Sequence, residues 1–540
     1  MFDYTLDGGW PTTYPTVWSR TPIQPLAPDL LTPFSYSILN EIAGRAWYQY
    51  YDRLGFEPKP RSRVVQQLDG LPYLNLSLFA ELEATHAGIQ PLTLRVNGQL
   101  QPIAAWEKPG LLAALKIGRN QKKIDNLLVS MRSEQESITV KARQWFIKTQ
   151  ELRWSQAEVL QVMEEIERVG NAPMQLYLAA RHNLELVLNQ VVRATLETKH
   201  FPQNVAMINA ALSGMRDVHE YRIGADLVEL SKAVQDRATV IAWLQSGKFE
   251  NWRQSLPDKR TLHALEDFLT KHGHRAAADG EIRFPRWHED AKPILRGLEA
   301  CLKQEARLPA TVSASQGVQR LLSLVDAKQR NAVELSLRKM QELIELQSQA
   351  LHAFSYILAG TRRWAQAAAA EAMADGRLTT LDDLFFFELE EIKQMMTGEW
   401  NISALDEIHA TVRTRRADFG RWAATKHGAL LVGEREAHLI GTGLPGAGGN
   451  AAGPLRRREI TEVNGCQGAV VGVFYLGNAS ALSLPVADGF VAANGTPVDP
   501  LAVAARPWHR PVVLALGDRY ETLTDGAQTA IDGDAAVVDQ

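Results

Sequence analysis

The chain has 540 residues, 45% hydrophobic and 22% charged, which is long enough for several domains with large apolar cores. Its 58 Lys and Arg against 62 Asp and Glu give a net charge of −4, which argues against nucleic acid or an anionic membrane as partner. Two cysteines exclude a disulfide framework, and neither a signal peptide nor an apolar run of the ~18 residues that span a bilayer is visible. We therefore expect a cytoplasmic protein.

The first 110 residues begin as a proline-rich segment, PTTYPTVWSRTPIQPLAPDLLTP, which contains too many prolines for a helix. A helical pattern follows in SYSILNEIAGRAWYQYYDRLGF. The segment PYLNLSLFAEL then predicts a short extended stretch that enters a helix.

Residues 110–425 are predicted to be overwhelmingly helical. Ser155 and Glu158 have the spacing of a capping box, an apolar stripe follows from Val159 to Val169, and Gly170 predicts the end of that helix. A longer helix is predicted in LSLRKMQELIELQSQALHAFSYILAG. These stripes indicate core packing rather than cofactor binding.

Residues 430–540 change character, since Lys and Arg become fewer while Gly, Ala and Val increase. The runs GAVVGVFYL, DGFVAAN, RPVVLAL and TAIDGDAAVV predict short strands. The segment GTGLPGAGGNAAGP (441–454) contains a G-x-G-x-x-G match, but no βαβ pattern follows it, so a flexible domain entry is favoured. The predicted fold class is multidomain α+β, with a large mostly α-helical domain (1–428) followed by a small α/β domain (429–540).

The densest polar cluster is HGHRAAADGEIRFPRWHED, residues 272–290. Its ligand spacing is unconvincing for a metal site, whereas Arg275 and Arg286 offer guanidinium groups suited to phosphate or carboxylate. The alternative is a buried network in which Arg275 pairs with Glu281 and pins a loop between helices. Both interpretations stay open from the residues alone.

This cluster also carries a family resemblance. FLTKHGHRAAADGEIRFPRWHED resembles the phosphoenolpyruvate synthase and rifampicin phosphotransferase group, which has a similar Gly-His-Arg, a short gap, an acidic residue and Pro-Arg-Trp. Further similar landmarks occur in the same order along nearly the whole chain: WSRTPIQPLAPDLLTP, LPYLNLSLF, DGRLTTLDDLFFFELEEI, GFVAANGTPVDPLAVAAR and DGAQTAIDGDAAVV. The resemblance implies that residues 1–428 correspond to the middle domain and residues 429–540 to the swivelling phosphohistidine domain.

Departures from the family pattern bear on activity. Counting back from Arg506, the family's phospho-accepting His falls on Pro500 and the preceding Ser or Thr on Asp499, which makes this a degenerate phospho-site. Proline has no side-chain nucleophile, although Asp499 is able in principle to form an acyl phosphate. Pro22 and Pro25 replace residues that are usually Asn and Glu in relatives. The first residues already resemble the middle domain, so we expect no ATP-grasp domain in this chain.

Three functions follow as hypotheses. The first is a non-phosphorylating binding or accessory subunit with a small-molecule ligand in the helical domain. The second is a phosphotransferase subunit that works with a separate ATP-grasp chain, through which alone ATP and Mg²⁺ would act, since we expect no cofactor or metal in this chain. The third is an enzyme of different chemistry that uses His274 as an acid or base. The candidate catalytic residues are His274, Arg275 and Glu281, with Arg286 as a binding residue.

The alternation of neighbouring side chains gives a sharper expectation for this loop. In an extended segment His274 and Arg275 point in opposite directions. We expect Arg275 to be buried and paired with Glu281, and His274 to line the largest cavity of the helical domain. Arg275→Ala should then destabilise the fold, whereas His274→Ala should not.

Overall fold

A computed structural model describes residues 2–57, 62–107, 110–195, 203–311, 313–398, 404–459 and 462–540. The chain divides into two compact units whose ranges interleave along the sequence. Unit 1 comprises Met1–His182, Asp279–Phe284 and Gln349–His438, and unit 2 comprises Asn183–Ala278, Pro285–Ser348 and Leu439–Gln540. The described residues confirm the predicted α+β class, because many helices accompany two sheets.

The α-helices are α1 (Pro33–Leu54), α2 (Leu76–Glu81), α3 (Leu111–Glu151), α4 (Gln156–Thr195), α5 (Gln203–Ala211), α6 (His219–Val234), α7 (Ala238–Ser246), α8 (Trp252–Ser255), α9 (Lys259–His272), α10 (Lys292–Lys303), α11 (Ser315–Ser323), α12 (Arg330–Ala374), α13 (Leu389–Thr397), α14 (Leu405–Trp422), α15 (Asn478–Ser483) and α16 (Pro500–Ala505). A π-helical turn, Leu82–Ala87, continues α2, and 3₁₀-helices occupy Leu381–Phe386 and Gly517–Thr522. Among the described residues, none of these helices has the length and apolar content required to cross a membrane.

Unit 1 contains an eight-stranded mixed sheet. Its strands are β1 (Asp3–Leu6), β2 (Val17–Ser19), β3 (Val65–Leu68), β4 (Leu71–Asn75), β5 (Thr93–Val96), β6 (Gln99–Pro102), β7 (Leu430–Val432) and β8 (Arg435–Leu439), in the order β3-β4-β2-β7-β8-β1-β5-β6. Trp18 of β2 lies opposite Asn75 of β4 on one side and Leu431 of β7 on the other. The predicted split at 428/429 therefore differs from the division into units, since β7 and β8 complete a sheet begun at the N-terminus.

Unit 2 contains a seven-stranded sheet. Its strands are β9 (Leu444–Ala447), β10 (Asn450–Arg457), β11 (Val470–Val473), β12 (Gly489–Ala492), β13 (Val512–Leu514), β14 (Gln528–Asp532) and β15 (Val537–Asp539), in the order β15-β14-β10-β11-β12-β13-β9. Strands β10 to β13 are parallel, whereas β14 pairs antiparallel with β10 and β9 antiparallel with β13. Every predicted strand run of this segment is confirmed.

The glycine-rich segment 441–454 lies at the start of the last range of unit 2, as predicted for a domain entry, but it is part of the sheet and not a linker. It enters β9 and forms most of β10, inside the sheet of unit 2. Its glycines allow neighbouring segments of the same chain to approach closely. A Cβ on Gly441 would lie 1.8 Å from the carbonyl oxygen of Leu516, and one on Gly446 would lie 2.7 Å from Cγ1 of Val512. Packing therefore requires small residues in this segment. From the composition alone, the same glycines had indicated a flexible segment.

In helix α4, one prediction is confirmed and another, which also rested on a glycine, is wrong. The capping box is confirmed, because Oε2 of Glu158 accepts from the amide of Ser155 at 2.8 Å and the amide of Glu158 donates to Oγ of Ser155 at 3.4 Å. The helix does not end at Gly170, however, and continues through Pro173 to Thr195. A Cβ on Gly170 would lie 2.5 Å from Cδ1 of Ile42, so this glycine allows α1 to pack closely.

Replacing Gly441 by alanine tests the packing role of the glycine-rich segment. The added Cβ would collide with a backbone carbonyl, so we expect the free energy of unfolding to fall by about 1–3 kcal/mol. Urea denaturation measures this change. Gly44→Ala in α1 is the matched control, because a Cβ there meets nothing within 4 Å and should leave stability equal or slightly higher. Equal stability of the two variants would contradict the packing argument.

Candidate functional site

The two motifs of the 272–290 cluster come together in unit 2. After α9 ends at His272, Gly273-His274-Arg275 is paired with the segment that begins Pro285-Arg286-Trp287. The amide of Trp287 donates to the carbonyl of Arg275 at 2.9 Å, and the amide of His288 donates to the carbonyl of Gly273 at 2.9 Å. A Cβ at Gly273 would lie 2.3 Å from the carbonyl oxygen of Leu269, so only glycine fits at the helix end.

Arg275 is buried and paired with a carboxylate, as predicted. Its side chain is 3% exposed, and Nη2 lies 2.6 Å from Oδ1 of Asn478 and 3.3 Å from Oε1 of Glu220. The predicted partner, Glu281, was wrong, because Glu220 on α6 supplies the carboxylate. Glu220 precedes Arg275 by 55 residues, with α7, α8 and α9 between them, and the spacing within the motif does not indicate so distant a partner.

The partners of Arg275 are themselves held by further hydrogen bonds within unit 2. Oγ of Ser348 donates to Oε2 of Glu220 at 2.7 Å. Nδ2 of Asn478 donates to the carbonyl of Ala276 at 2.9 Å, and the amide of Asn478 donates to the carbonyl of Ala277 at 3.1 Å. Because the guanidinium, the carboxylate and the amide are each held from a second direction, this network fixes the course of residues 275–277.

Glu281 lies in unit 1, where it binds the beginning of α1. Its carboxylate accepts from the amide and Oγ1 of Thr32 at 2.7 and 3.0 Å, from Oγ of Ser35 at 2.8 Å and from the amide of Arg283 at 2.7 Å. Burial raises the pKa of this carboxyl above its ordinary value, although the hydrogen bonds oppose the shift. These contacts are those of a structural anchor, and a catalytic role for Glu281 stays a prediction.

His274 is enclosed within unit 2, with 2% of its surface exposed. Burial, reinforced by the positive charge of Arg275, holds the pKa of His274 well below its ordinary value, so the imidazole is neutral at physiological pH. A cavity with a volume of about 790 Å³ lies between the ends of α6, α7 and α10. His274 does not line this cavity, and its expected place in the largest cavity of the helical domain stays a prediction.

Two further residues of the cluster are also interior. The side chain of Arg286, the predicted binding residue, is fully buried, so an incoming anion has no open path to its guanidinium in this conformation. His272 places Nε2 at 2.8 Å from Oδ2 of Asp226 on α6, a hydrogen-bonded pair that the sequence analysis missed. Burial nevertheless lowers the pKa of His272.

The two residues predicted to form a degenerate phospho-site lie at the start of α16. Pro500 is the first residue of the helix and Asp499 is its N-cap, and both are buried. The carboxylate of Asp499 accepts from the amide and Oγ1 of Thr496 at 2.8 and 2.7 Å, which closes a tight loop. Gly495 begins this loop at φ +113°, a backbone conformation that favours glycine.

A buried His–Glu pair in unit 1 was also missed. Nε2 of His182 on α4 lies 2.9 Å from Oε1 of Glu83, and both side chains are less than 5% exposed. Glu83 belongs to the π-helical turn Leu82–Ala87, and its Oε2 accepts from the amide of Leu92 at 2.9 Å. The partners are far apart in the sequence and no motif marks either residue. Among the described residues, no group of three or more His, Cys, Asp or Glu is arranged to hold a metal ion.

Truncating Arg275 tests its structural role. Arg275→Ala leaves the carboxylate of Glu220 buried without its cation, so we expect the free energy of unfolding to fall by about 3–5 kcal/mol. Adding Glu220→Gln should recover part of that loss, because the uncompensated charge is then removed. Arg307→Ala is the control, since that side chain is 83% exposed and should change stability little. Guanidinium denaturation of the wild type, the two single variants and the double variant measures these changes. An unchanged midpoint for Arg275→Ala would refute the structural role of Arg275.

The lowered pKa of His274 predicts a pH dependence of stability. Unfolded His274 takes up a proton near pH 6.5 while the folded protein does not, so stability is lost as the pH falls below 6.5 towards the folded pKa. The contribution is up to about 1.4 kcal/mol per pH unit. Urea denaturation between pH 7.5 and 5.5 should show a shallower loss for His274→Gln than for the wild type. His438→Gln, at an exposed position, should retain the wild-type slope.

Residues 173–351 match the family model described as the rifampicin phosphotransferase fourth domain. The matched range begins in α4, ends in α12 and contains the whole 272–290 cluster together with Glu220 and Ser348. It therefore includes the Gly-His-Arg and Pro-Arg-Trp motifs from which the resemblance was first recognised. The match confirms that resemblance for residues 173–351, which are similar to the fourth domain of rifampicin phosphotransferase.

Proposed function

We propose that this rifampicin phosphotransferase-like protein is a binding or accessory subunit that carries no phosphoryl group at the family's usual position. The proposal rests on the resemblance, which places Pro500 at the position of the family's phospho-accepting histidine, and on the burial of this residue at the start of α16. Phosphoryl relay requires a nucleophile that can be reached by donor and acceptor in turn. Proline supplies no such atom.

The neighbouring carboxylate is a poor substitute. Both oxygens of Asp499 already accept hydrogen bonds from Thr496, and the residue is 3% exposed. Forming an acyl phosphate there would require breaking both bonds and admitting a doubly charged group to a buried site. The local geometry thus favours a structural task for Asp499, which is to close the loop before α16.

The other two hypotheses have weaker support. A phosphotransferase subunit with a separate ATP-grasp partner would need a phospho-carrier elsewhere in the chain, and His509 is the nearest exposed imidazole in sequence. An enzyme that uses His274 as acid or base would need a route to that residue, which is buried and neutral. Neither hypothesis is favoured by a specific contact.

A ligand-binding role has a physical candidate in the cavity of unit 2. Its volume, about 790 Å³, is within the usual range for small-molecule sites. The apolar lining includes Ile241, Leu244 and Leu302, and charged residues such as Lys232 and Asp236 stand beside them. This combination suits an uncharged or zwitterionic amphipathic molecule better than a phosphate ester, because the lining carries both signs of charge.

Transfer of labelled phosphate tests the proposal. The full chain is incubated with Mg²⁺, ATP labelled in both its β- and γ-phosphates and a rifampicin phosphotransferase that has an intact ATP-grasp domain, and separately with labelled phosphoenolpyruvate. We expect no stable label on this chain, whereas the rifampicin phosphotransferase becomes labelled in the same tube. Peptide mapping and sensitivity to hydroxylamine distinguish an acyl phosphate from phosphohistidine. Stoichiometric label on Asp499 or His509, lost in Asp499→Ala or His509→Ala respectively, would overturn the proposal.

A further inference from the structure

The family resemblance implies that residues Leu439–Gln540 correspond to the swivelling phosphohistidine domain. These residues nevertheless belong to the same compact unit as the helical residues Asn183–Ala278 and Pro285–Ser348. The contacts between these two parts of unit 2 are buried side-chain hydrogen bonds at three separate elements. They involve α5, the segment after α9, and α12. The α/β part is hereafter the C-terminal segment.

The first contact is made by Asn209 on α5. Its Nδ2 donates to the carbonyl of Pro445 at 2.7 Å, and its Oδ1 accepts from Nη2 of Arg506 at 2.8 Å. Arg506 also donates from Nε to the carbonyl of Gly446 at 3.0 Å and contacts the carbonyl of Pro497. Asn209 and Arg506 are 2% and 5% exposed, so water is excluded from these bonds. Asn209 thus binds both β9 and Arg506, the residue that follows α16.

The second contact is the network around Arg275. Asn478, the first residue of α15, accepts from the guanidinium and donates twice to the backbone of residues 276–277. An asparagine amide has both a donor and an acceptor, and here each is used by the helical part. Withdrawing α15 would leave a buried guanidinium with one partner fewer.

The third contact lies beside the degenerate phospho-site itself. Nε2 of Gln347 on α12 donates to the carbonyl of Val498 at 3.2 Å, and Gln347 is fully buried. This carbonyl directly precedes Asp499 and Pro500. The loop that would have to travel in a swivelling domain is therefore bonded to a long helix.

Between these contacts the two parts approach at backbone distance. A Cβ on Gly224 of α6 would lie 3.1 Å from the carbonyl oxygen of Ala481 and 3.2 Å from the ring of Trp508. The rings of Tyr221 and Trp508 are 5.6 Å apart. Packing of this density is typical of a protein interior and differs from the looser, wetter contacts between domains that move.

We propose that the C-terminal segment is permanently docked and does not swivel, and that Asn209, Asn478 and Gln347 are the latch. The three bonds belong to different elements, so motion about any one of them breaks the other two. This inference stands apart from the proposed function, because a docked segment could still be phosphorylated and a chemically silent one could still move.

Single-molecule energy transfer tests the docking. Dyes are attached at Asp267→Cys on α9 and Ala530→Cys on β14, both exposed positions. Cys301 and Cys466 label poorly, because both are buried and burial raises the pKa of each thiol, to about 12 for Cys301. We expect one narrow population for the otherwise unchanged chain. Two populations, or exchange within microseconds to seconds, would overturn the proposal.

Latch variants test the residues. Asn209→Ala combined with Asn478→Ala should produce a second population, and amides of α15 and α16 should exchange with solvent at least tenfold faster while those of β1 to β5 keep their rates. Asn189→Ala is the control, since that side chain bonds only to the carbonyl of Glu185 in its own helix. A double variant that behaves like Asn189→Ala would show that these residues are not the latch.

If the double variant fails to fold, a substitution that enlarges a side chain at the contact between α6 and α15 provides a second test. Gly224→Ala adds one methyl group between α6 and α15, and it should also raise the exchange of α15 amides relative to those of β1 to β5. Gly420→Ala on α14 is its control, because a Cβ there meets nothing within 4 Å. In the unmodified chain, the backbone amides of α6 and α15 should exchange with solvent through the same opening reaction, with equal free energies of opening. Separate openings, with α15 released alone, would contradict permanent docking.

Discussion

A buried guanidinium imposes a demanding requirement in unit 2, since a charge taken out of water has to be matched by a carboxylate or by other polar neighbours. Arg275 meets that requirement through Glu220 on one side and Asn478 on the other. Satisfying it brings α6, the segment after α9 and the beginning of α15 to a single point. The rest of the cluster follows, because Trp287 and His288 then pair with the backbone of the Gly-His-Arg motif.

The same constraint explains why the cluster has little of the character of an open reaction centre. His274, Arg286 and Glu281 are interior residues, and their immediate surroundings are the protein's own polar groups and backbone. In a sequence, so many polar residues close together are typical of a catalytic site. In the folded chain they serve two compact units, since Glu281 binds the beginning of α1 in unit 1 whereas Arg275 is part of unit 2.

The sequence was sufficient to locate most of the secondary-structure elements. Alternating apolar runs located the strands of the C-terminal segment. Predictions failed where the deciding contact was distant in sequence. The partner of Arg275, the pairing of β7 with β2 and the close approach at Gly441 all depend on residues that no local pattern connects. Gly170 and the 441–454 segment failed for a common reason, because glycine permits flexibility and close packing alike, and composition does not distinguish the two.

The interleaving of the two units has a consequence for biosynthesis. The ribosome delivers α5 and α6 long before β9 and α15, and at usual elongation rates the interval is on the order of tens of seconds. Throughout that time the surfaces around Asn209, Tyr221 and Gly224 lack the partners that later cover them. Unit 2 is consequently completed only after β9 to β15 leave the exit tunnel, and until then the nascent helices expose surfaces that are buried in the finished unit.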